Sequence, residues 1–279
     1  MGLSTWLVKK LSQYLMKQVG KPRPHLCDFN KISYELRPGD VILIEGHNRI
    51  SHIVKRITSS PWTHASLYLG RLHDIEDPKV RVAIRKNYSG GISDQLILEA
   101  MVGHGNYIDN LTHYKGEHIR ICRPTGISHA DVQRIIAITV SRLGEEYGTR
   151  HFFDLGRFLL GSRFLPKRWR STLFNRNPTK VSDDICSSLI AKAFMDVKFP
   201  ILPLVRQGEG QSLEFIHRNS RLFAPCDFDY SPYFNIIKYP IFPMNDPAPY
   251  RHLPWNESLL SNDDEGLMSS EPFQAPESD

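Results

Sequence analysis

The chain has 279 residues, 41% of them hydrophobic and 23% charged, the balance of a soluble globular protein with room for one large or two modest domains. Its formal net charge of +5 is too small and too dispersed to indicate nucleic acid, and neither zinc-finger spacing nor an aromatic-glycine RNA-binding signature occurs. The four cysteines, Cys27, Cys122, Cys186 and Cys226, stand far apart with no paired spacing. That argues against a zinc knuckle or a disulfide framework, and for reduced thiols in a cytoplasmic setting; no metal or cofactor is implied.

The amino terminus, "MGLSTWLVKKLSQYLMKQVGKPRP", has no apolar stretch fit for a secretion signal, because Lys9 and Lys10 interrupt it. Trp6 stands where a myristoylation motif needs Ser or Thr. Read as a helix over residues 1–24, it places Leu3, Leu7, Leu11 and Leu15 on one stripe beside lysines. Such a basic amphipathic helix packs on its own domain or lies, through residues 1–20, on a membrane surface. No segment is long and apolar enough to span a bilayer.

A turn at Pro38-Gly39 precedes a short apolar strand, Val41 to Ile44. The next stretch carries Ile50, Ile53, Val54 and Ile57 at helical spacing. In "THASLYLG", Ala65, Leu67 and Leu69 alternate with His64, Ser66 and Tyr68, which predicts a strand. Further strands are expected in "VRVAIRK", "DQLILEAM" and "GEHIRICRP". Helices then follow: one starts at Ser128 and Asp131 and stops at Gly144, and "FFDLGRFLLGSRFLP" forms an aromatic-rich second. A basic loop leads to a helix in "SDDICSSLIAKAF". The stretch to about Ile241 reads as loops with one or two short strands, and residues 244–279 as an acidic tail too poor in core formers to fold.

Three residues attract chemical attention. Ser182, Asp183 and Asp184 are helix-starting residues, so Cys186 falls in a first turn, where unpaired N–H groups and the helix dipole favour a thiolate. The two aspartates oppose that effect, and a lone cysteine in an apolar helix is also ordinary core filler. His64 begins an alternating strand on the face of Ser66 and Tyr68. An imidazole on a sheet face covered by the cysteine helix can meet the thiol as a base, or serve as a structural histidine. Glu99 interrupts the apolar strand "QLILEAM", where a buried carboxylate needs a partner. Orienting an imidazole would supply one, and binding an arginine of the same sheet would supply another.

The blocks "RPGDVILIEG", "SHIVKRITSSPWTHASLYLG", "LILEA", "HIRICRP", "ICSSLIAKAF" and "DFDYSPYF" resemble, in order, the YiiX/YebB-like (lipo-like) branch of the NlpC-type papain-fold superfamily, related to the lecithin:retinol acyltransferase-like proteins. The resemblance spans about Leu36 to Ile241. It implies an α+β, circularly permuted papain-like fold over residues 25–243, with an antiparallel sheet packed against the helix that bears the cysteine. It further implies Cys186 as nucleophile, His64 as general base and Glu99 as the group that orients the imidazole. Tyr147, in "LGEEYGTR", falls where related proteins carry a tyrosine near the substrate groove, although Gly148 replaces the aspartate that follows it there. The implied activity is hydrolysis or acyl transfer at an amide, ester or thioester carbonyl of a lipid- or peptide-like substrate. A non-catalytic lipid- or protein-binding module and a peptidoglycan peptide hydrolase are the alternatives on the same fold.

Overall fold

Asp28 opens the first helix of the described residues, α1 (Phe29–Glu35), by accepting hydrogen bonds from the N–H groups of Asn30 and Lys31, the usual role of a short acidic side chain at a helix start. It lies in a computed structural model that describes residues 17, 26–101, 105–145, 186–208, 212–242, 248–256, 258–261 and 267–269. The expected helix over 1–24, the aromatic-rich segment and basic loop after residue 150, and Tyr147 lie outside the described residues.

After the Pro38-Gly39 turn, where Gly39 takes a φ of +90° that side chains with a Cβ rarely adopt, the chain enters β1 (Val41–Glu45). Helix α2 (Arg49–Thr58) follows, capped by Asn48, whose side chain accepts from the N–H of Ser51. Then come β2 (His64–Gly70), α3 (Pro78–Asn87), β3 (Leu96–Met101), β4 (Gly105–Asn110) and β5 (His118–Pro124). Helices α4 (His129–Val140) and α5 (Cys186–Asp196) precede β6 (Leu204–Gln207), β7 (Leu213–Ile216), α6 (Cys226–Tyr230) and β8 (Phe234–Ile237). Beyond them lie β9 (Leu259–Ser261) and β10 (Leu267–Ser269).

Six strands form one antiparallel sheet in the order β4-β3-β2-β1-β5-β8. Both faces are covered, which is why β1 is apolar at four consecutive positions rather than alternating. On one face Val41, Leu43, Leu67, Leu69 and Leu98 meet Ile135 and Ile136 of α4 and Leu189, Ile190 and Phe194 of α5. On the other, Ile42, Ile44, Tyr68 and Ile97 meet Phe29 and Ile32 of α1, with Leu111 and Tyr114 of a 3-10 turn. The molecule is thus mixed α+β, with an antiparallel sheet packed against the helix that bears Cys186.

One expected strand is a helix. "VRVAIRK" alternates well enough to read as β, yet it lies within α3: Asp77 accepts from the N–H of Lys79, and Pro78 fills a first-turn position that needs no N–H. Val80 and Ile84, four apart, are the buried pair, and Val82 between them is 68% exposed. The helical period therefore overrode the alternating one. By contrast, α4 starts where expected, with the Ser128 side chain accepting from the N–H of Asp131. The described residues of the stretch before Ile241 hold three short strands, of which β8 joins the main sheet by pairing with β5.

The chain divides into a unit of Met1–Ile241 and a second of Phe242–Asp279. In the second, the described residues of the expected unstructured tail form a 3-10 turn (Pro249–His252) and the antiparallel pair β9–β10.

A buried charge also ties the sheet to α1. Asp40 is shut away from water and accepts from the Nε and Nη2 of Arg123, which also reaches Glu35 through Nη1 at 2.7 Å. Burial pushes the Asp40 carboxyl up despite this partner. Arg123→Ala removes the compensation and is expected to cost about 3–5 kcal/mol in urea unfolding. Arg206→Ala, which breaks the exposed Arg206–Glu214 pair at 2.7 Å, should cost under about 1 kcal/mol. Equal small losses would mean that Asp40 accommodates burial by taking up a proton.

Candidate active site

Alternation along β2 assigns His64 to the face of Ser66 and Tyr68, and alternation along β3 assigns Glu99 to the same face, beside Ile97. Helix α5 packs on the opposite face, against Ala65, Leu67 and Leu69. The thiol therefore does not meet the imidazole across a covered sheet face, as the sequence suggested. The contact is made instead at Cys186, the first described residue of α5, and His64, the first residue of β2.

A break in the sheet admits it. The β2–β3 register runs from Leu67 to Gly70, so pairing has stopped before Ala65 is reached. Tyr68 exchanges hydrogen bonds with the β1 side through Asp40 and Gly39. Ala65, three residues before it, therefore points the other way, towards β3. Its N–H, free of the ladder, is directed at the Cys186 sulfur, and the N–H of Ser187 also favours the thiolate.

His64 contacts both partners. Its Nε2 lies 3.8 Å from Oε2 of Glu99, an ion-pair distance. That nitrogen has no partner within hydrogen-bond reach among the described residues. Cys186 is the second partner, interacting with the imidazole both by charge and as a hydrogen-bond partner. Burial, the largest influence on each group, disfavours charge on both. The mutual attraction outweighs it, holding the imidazole well above its ordinary value and the thiol below its own. This is the electrostatics of a thiolate–imidazolium pair. The His64 side chain is 20% exposed, whereas that of Glu99 is 0% exposed.

Glu99 has two further partners that sequence reasoning missed. Tyr107, opposite it in the β3–β4 register, donates to Oε2 at 2.7 Å. Tyr114, from the 3-10 turn after β4, donates to Oε1. With these and His64, the carboxyl sits below its ordinary value although burial pushes it up. The available signal was the strand "GNYIDN" itself, whose Tyr107 falls on the face of Glu99 once the hairpin is recognised. The arginines of the same sheet, the alternative partners for Glu99, are engaged elsewhere: Arg123 serves Asp40 and Glu35, and Arg120 serves Asp229.

The approach of His64 is fixed from behind. Trp62, fully buried, donates from Nε1 to Asp229 of α6 at 3.2 Å. Arg120 of β5 grips the same carboxylate at 2.7 and 2.8 Å while lying 4.5 Å above the indole ring. Thr63 accepts from the N–H of Gly46 at 2.9 Å. On the other side, Ser187 donates to the carbonyl of Phe223 at 2.6 Å, pinning the start of α5.

Cys186, His64 and Glu99 are thus brought together. Ser182, Asp183, Asp184 and Tyr147 lie outside the described residues. Among the described residues, no group of three or more His, Cys, Asp or Glu side chains is arranged to hold a metal ion, and no helix is long and apolar enough to cross a membrane.

No protein-family model matches the chain, and no curated protein matches it. Among solved structures it is similar to the metalloprotein YiiX of Escherichia coli O157:H7, at 12% identity and a TM-score of 0.43, over 73% of this chain and 97% of that one.

The four thiols separate cleanly. Burial pushes Cys27, Cys122 and Cys226 up, the last with help from Asp227, whereas Cys186 alone is lowered. Iodoacetamide at pH 6, followed by peptide mapping, should mark Cys186 first, at least about tenfold faster than any other cysteine. Uniform slow labelling would mean that the pair is not formed.

Proposed function

We propose that this chain is a cysteine hydrolase or acyltransferase of papain-like type, acting through Cys186, His64 and Glu99 on a carbonyl substrate. The observation that carries the reading is the convergence of a lowered thiol, a raised imidazole and a buried carboxylate from three distant segments. Strongly perturbed groups of complementary sign gathered at one place are the mark of an active site. The resemblance of the sequence blocks to the lipo-like branch of the NlpC-type papain superfamily supports the same reading. So does the chain order, with the histidine strand ahead of the cysteine helix, as the permuted form requires.

The chemistry follows from the groups present. The Cys186 thiolate attacks the carbonyl carbon of an amide, ester or thioester, forming a C–S bond and an oxyanion. N–H groups at the first turn of α5 are the donors available to that oxyanion. The oxyanion collapses, the bond to the leaving group breaks, and His64 as imidazolium delivers its proton to the departing nitrogen, oxygen or sulfur. A thioester now links the acyl group to Cys186. Water or another acceptor then gives its proton to His64, attacks the thioester carbonyl and expels the thiolate, which restores the ion pair. Glu99 stabilises the imidazolium and holds the ring without itself being protonated.

The acyl group is proposed to be lipid- or peptide-like, following the same resemblance. A panel of fluorogenic thioesters, esters and amides bearing fatty-acyl or peptidyl groups tests both points. At least one substrate should turn over, and Cys186→Ala should lower that rate about a thousandfold or more while leaving the urea midpoint within error. Turnover that survives Cys186→Ala would overturn the assignment. Absence of turnover across the panel, together with an unreactive Cys186, would leave a binding module as the better reading.

A further inference from the structure

Glu99 poses a problem for the proposed site. A carboxylate set close to a nucleophilic thiol repels the thiolate that the site needs, even as it stabilises the imidazolium between them. Left alone in a place closed to water it would also take up a proton, because burial is the largest influence on it and acts in that direction. A neutral Glu99 would neither hold the ring nor favour its charge. The remedy lies in Tyr107 and Tyr114. Each donates its O–H to a different oxygen of the carboxylate, so both oxygens are satisfied and the negative charge is spread into two hydrogen bonds.

The donors are also fixed in kind. Burial, then the charge of Glu99, pushes both phenols far up, so they stay protonated wherever a thiol works and can only donate. The two differ in origin. Tyr107 belongs to the strand next to β3 and faces Glu99 in register. Tyr114 is buried in the second face of the core, its ring centroid 6.5 Å from that of His64. One phenol is placed by the sheet and the other by the turn that closes over it.

Resting on the assignment of Cys186 as nucleophile, we infer that Tyr107 and Tyr114 are positioning residues that keep Glu99 ionised beneath His64, and so set the pH range over which the thiolate–imidazolium pair exists. The sign follows by linkage. Losing a phenolic donor makes Glu99 easier to protonate, which weakens the support of the imidazolium. A less favoured imidazolium titrates at lower pH, and a thiol with a weaker cationic partner ionises at higher pH. The range of the ion pair therefore narrows from both ends.

Alkylation of Cys186 by iodoacetamide across pH 4–10 reads this without any substrate, in the full chain and in Tyr107→Phe, Tyr114→Phe, the double variant and Glu99→Gln. Phenylalanine keeps the ring and removes only the O–H. Each single variant should move the acid limb up and the upper limb down. The double variant should react about tenfold more slowly on the acid limb, since one pH unit of movement there is tenfold in rate. In the Glu99→Gln background the tyrosine substitutions should move neither limb further, the signature of action through one shared group. A loss of packing would instead lower the urea midpoint and leave both limbs in place. Phenylalanine variants that superimpose on wild type, or that add to Glu99→Gln, would overturn the inference while the nucleophile stands. A wild-type Cys186 with no depressed acid limb would overturn the nucleophile itself. The two single variants are read separately, so Tyr107→Phe, at the half-buried phenol, decides the matter if the buried Tyr114→Phe does not fold.

Discussion

Glu99 is the constraint around which this half of the molecule is arranged. A carboxylate with no access to water has to be matched by cations and hydrogen-bond donors at the place where it sits, because each unmet oxygen would cost more than most single contacts in the fold contribute. Three elements supply the match. Strand β4 brings Tyr107 into register, the turn after it brings Tyr114, and β2 brings His64. Once they are in place, Cys186 of α5 is the group that pairs with His64.

The topology makes that contact possible in an indirect way. A continuous six-stranded sheet would separate Cys186, on the helix-covered face, from His64 and Glu99, on the other. Pairing between β2 and β3 ends at Leu67, however, and the backbone N–H left over at Ala65 turns to the sulfur. The interruption leaves a backbone donor unclaimed by the ladder, which would need a partner in any case, and it opens the route by which a side chain from one layer meets side chains of the other. The proposed chemistry thus sits where regular β structure gives out, at the end of a strand.

Much of this was legible in the chain. The apolar run Val41 to Ile44, the alternation from His64 to Leu69 and the Ser128 cap mark elements that local chemistry determines, and the structure has each. His64, Cys186 and Glu99 stood out because each is a polar or reactive group in an apolar setting. What could not be read was anything set by pairing. Tyr107 is unremarked in sequence because its partner is defined only by the β3–β4 register, and the distant Trp62, Arg120 and Asp229 become one cluster only when β5 and α6 converge. The misread of residues 80–86 has a local cause. Val80, Val82 and Ile84 fit a strand's period, and Val80 with Ile84 fits a helix's, so the capping Asp77 and Pro78 were the deciding signal.

Among the described residues two carboxylates are buried, Asp40 just before β1 and Glu99 in β3, and they are stabilised in opposite ways. Asp40 is paired with Arg123, a cation that keeps its charge at every accessible pH, and the pair can do nothing but hold α1 to the sheet. Glu99 is paired with an imidazole, which can give up its proton, and with two phenols, which do not. If burial of Glu99 served stability alone, an arginine would serve better and the 3.8 Å separation from Nε2 would be a defect. An imidazole at that distance has its charge supported by the carboxylate, while its proton remains exchangeable with a neighbouring sulfur. The choice of a titratable partner, where Arg123 supplies a permanent cation nearby, is what the proposed proton transfer requires of the cluster around Glu99.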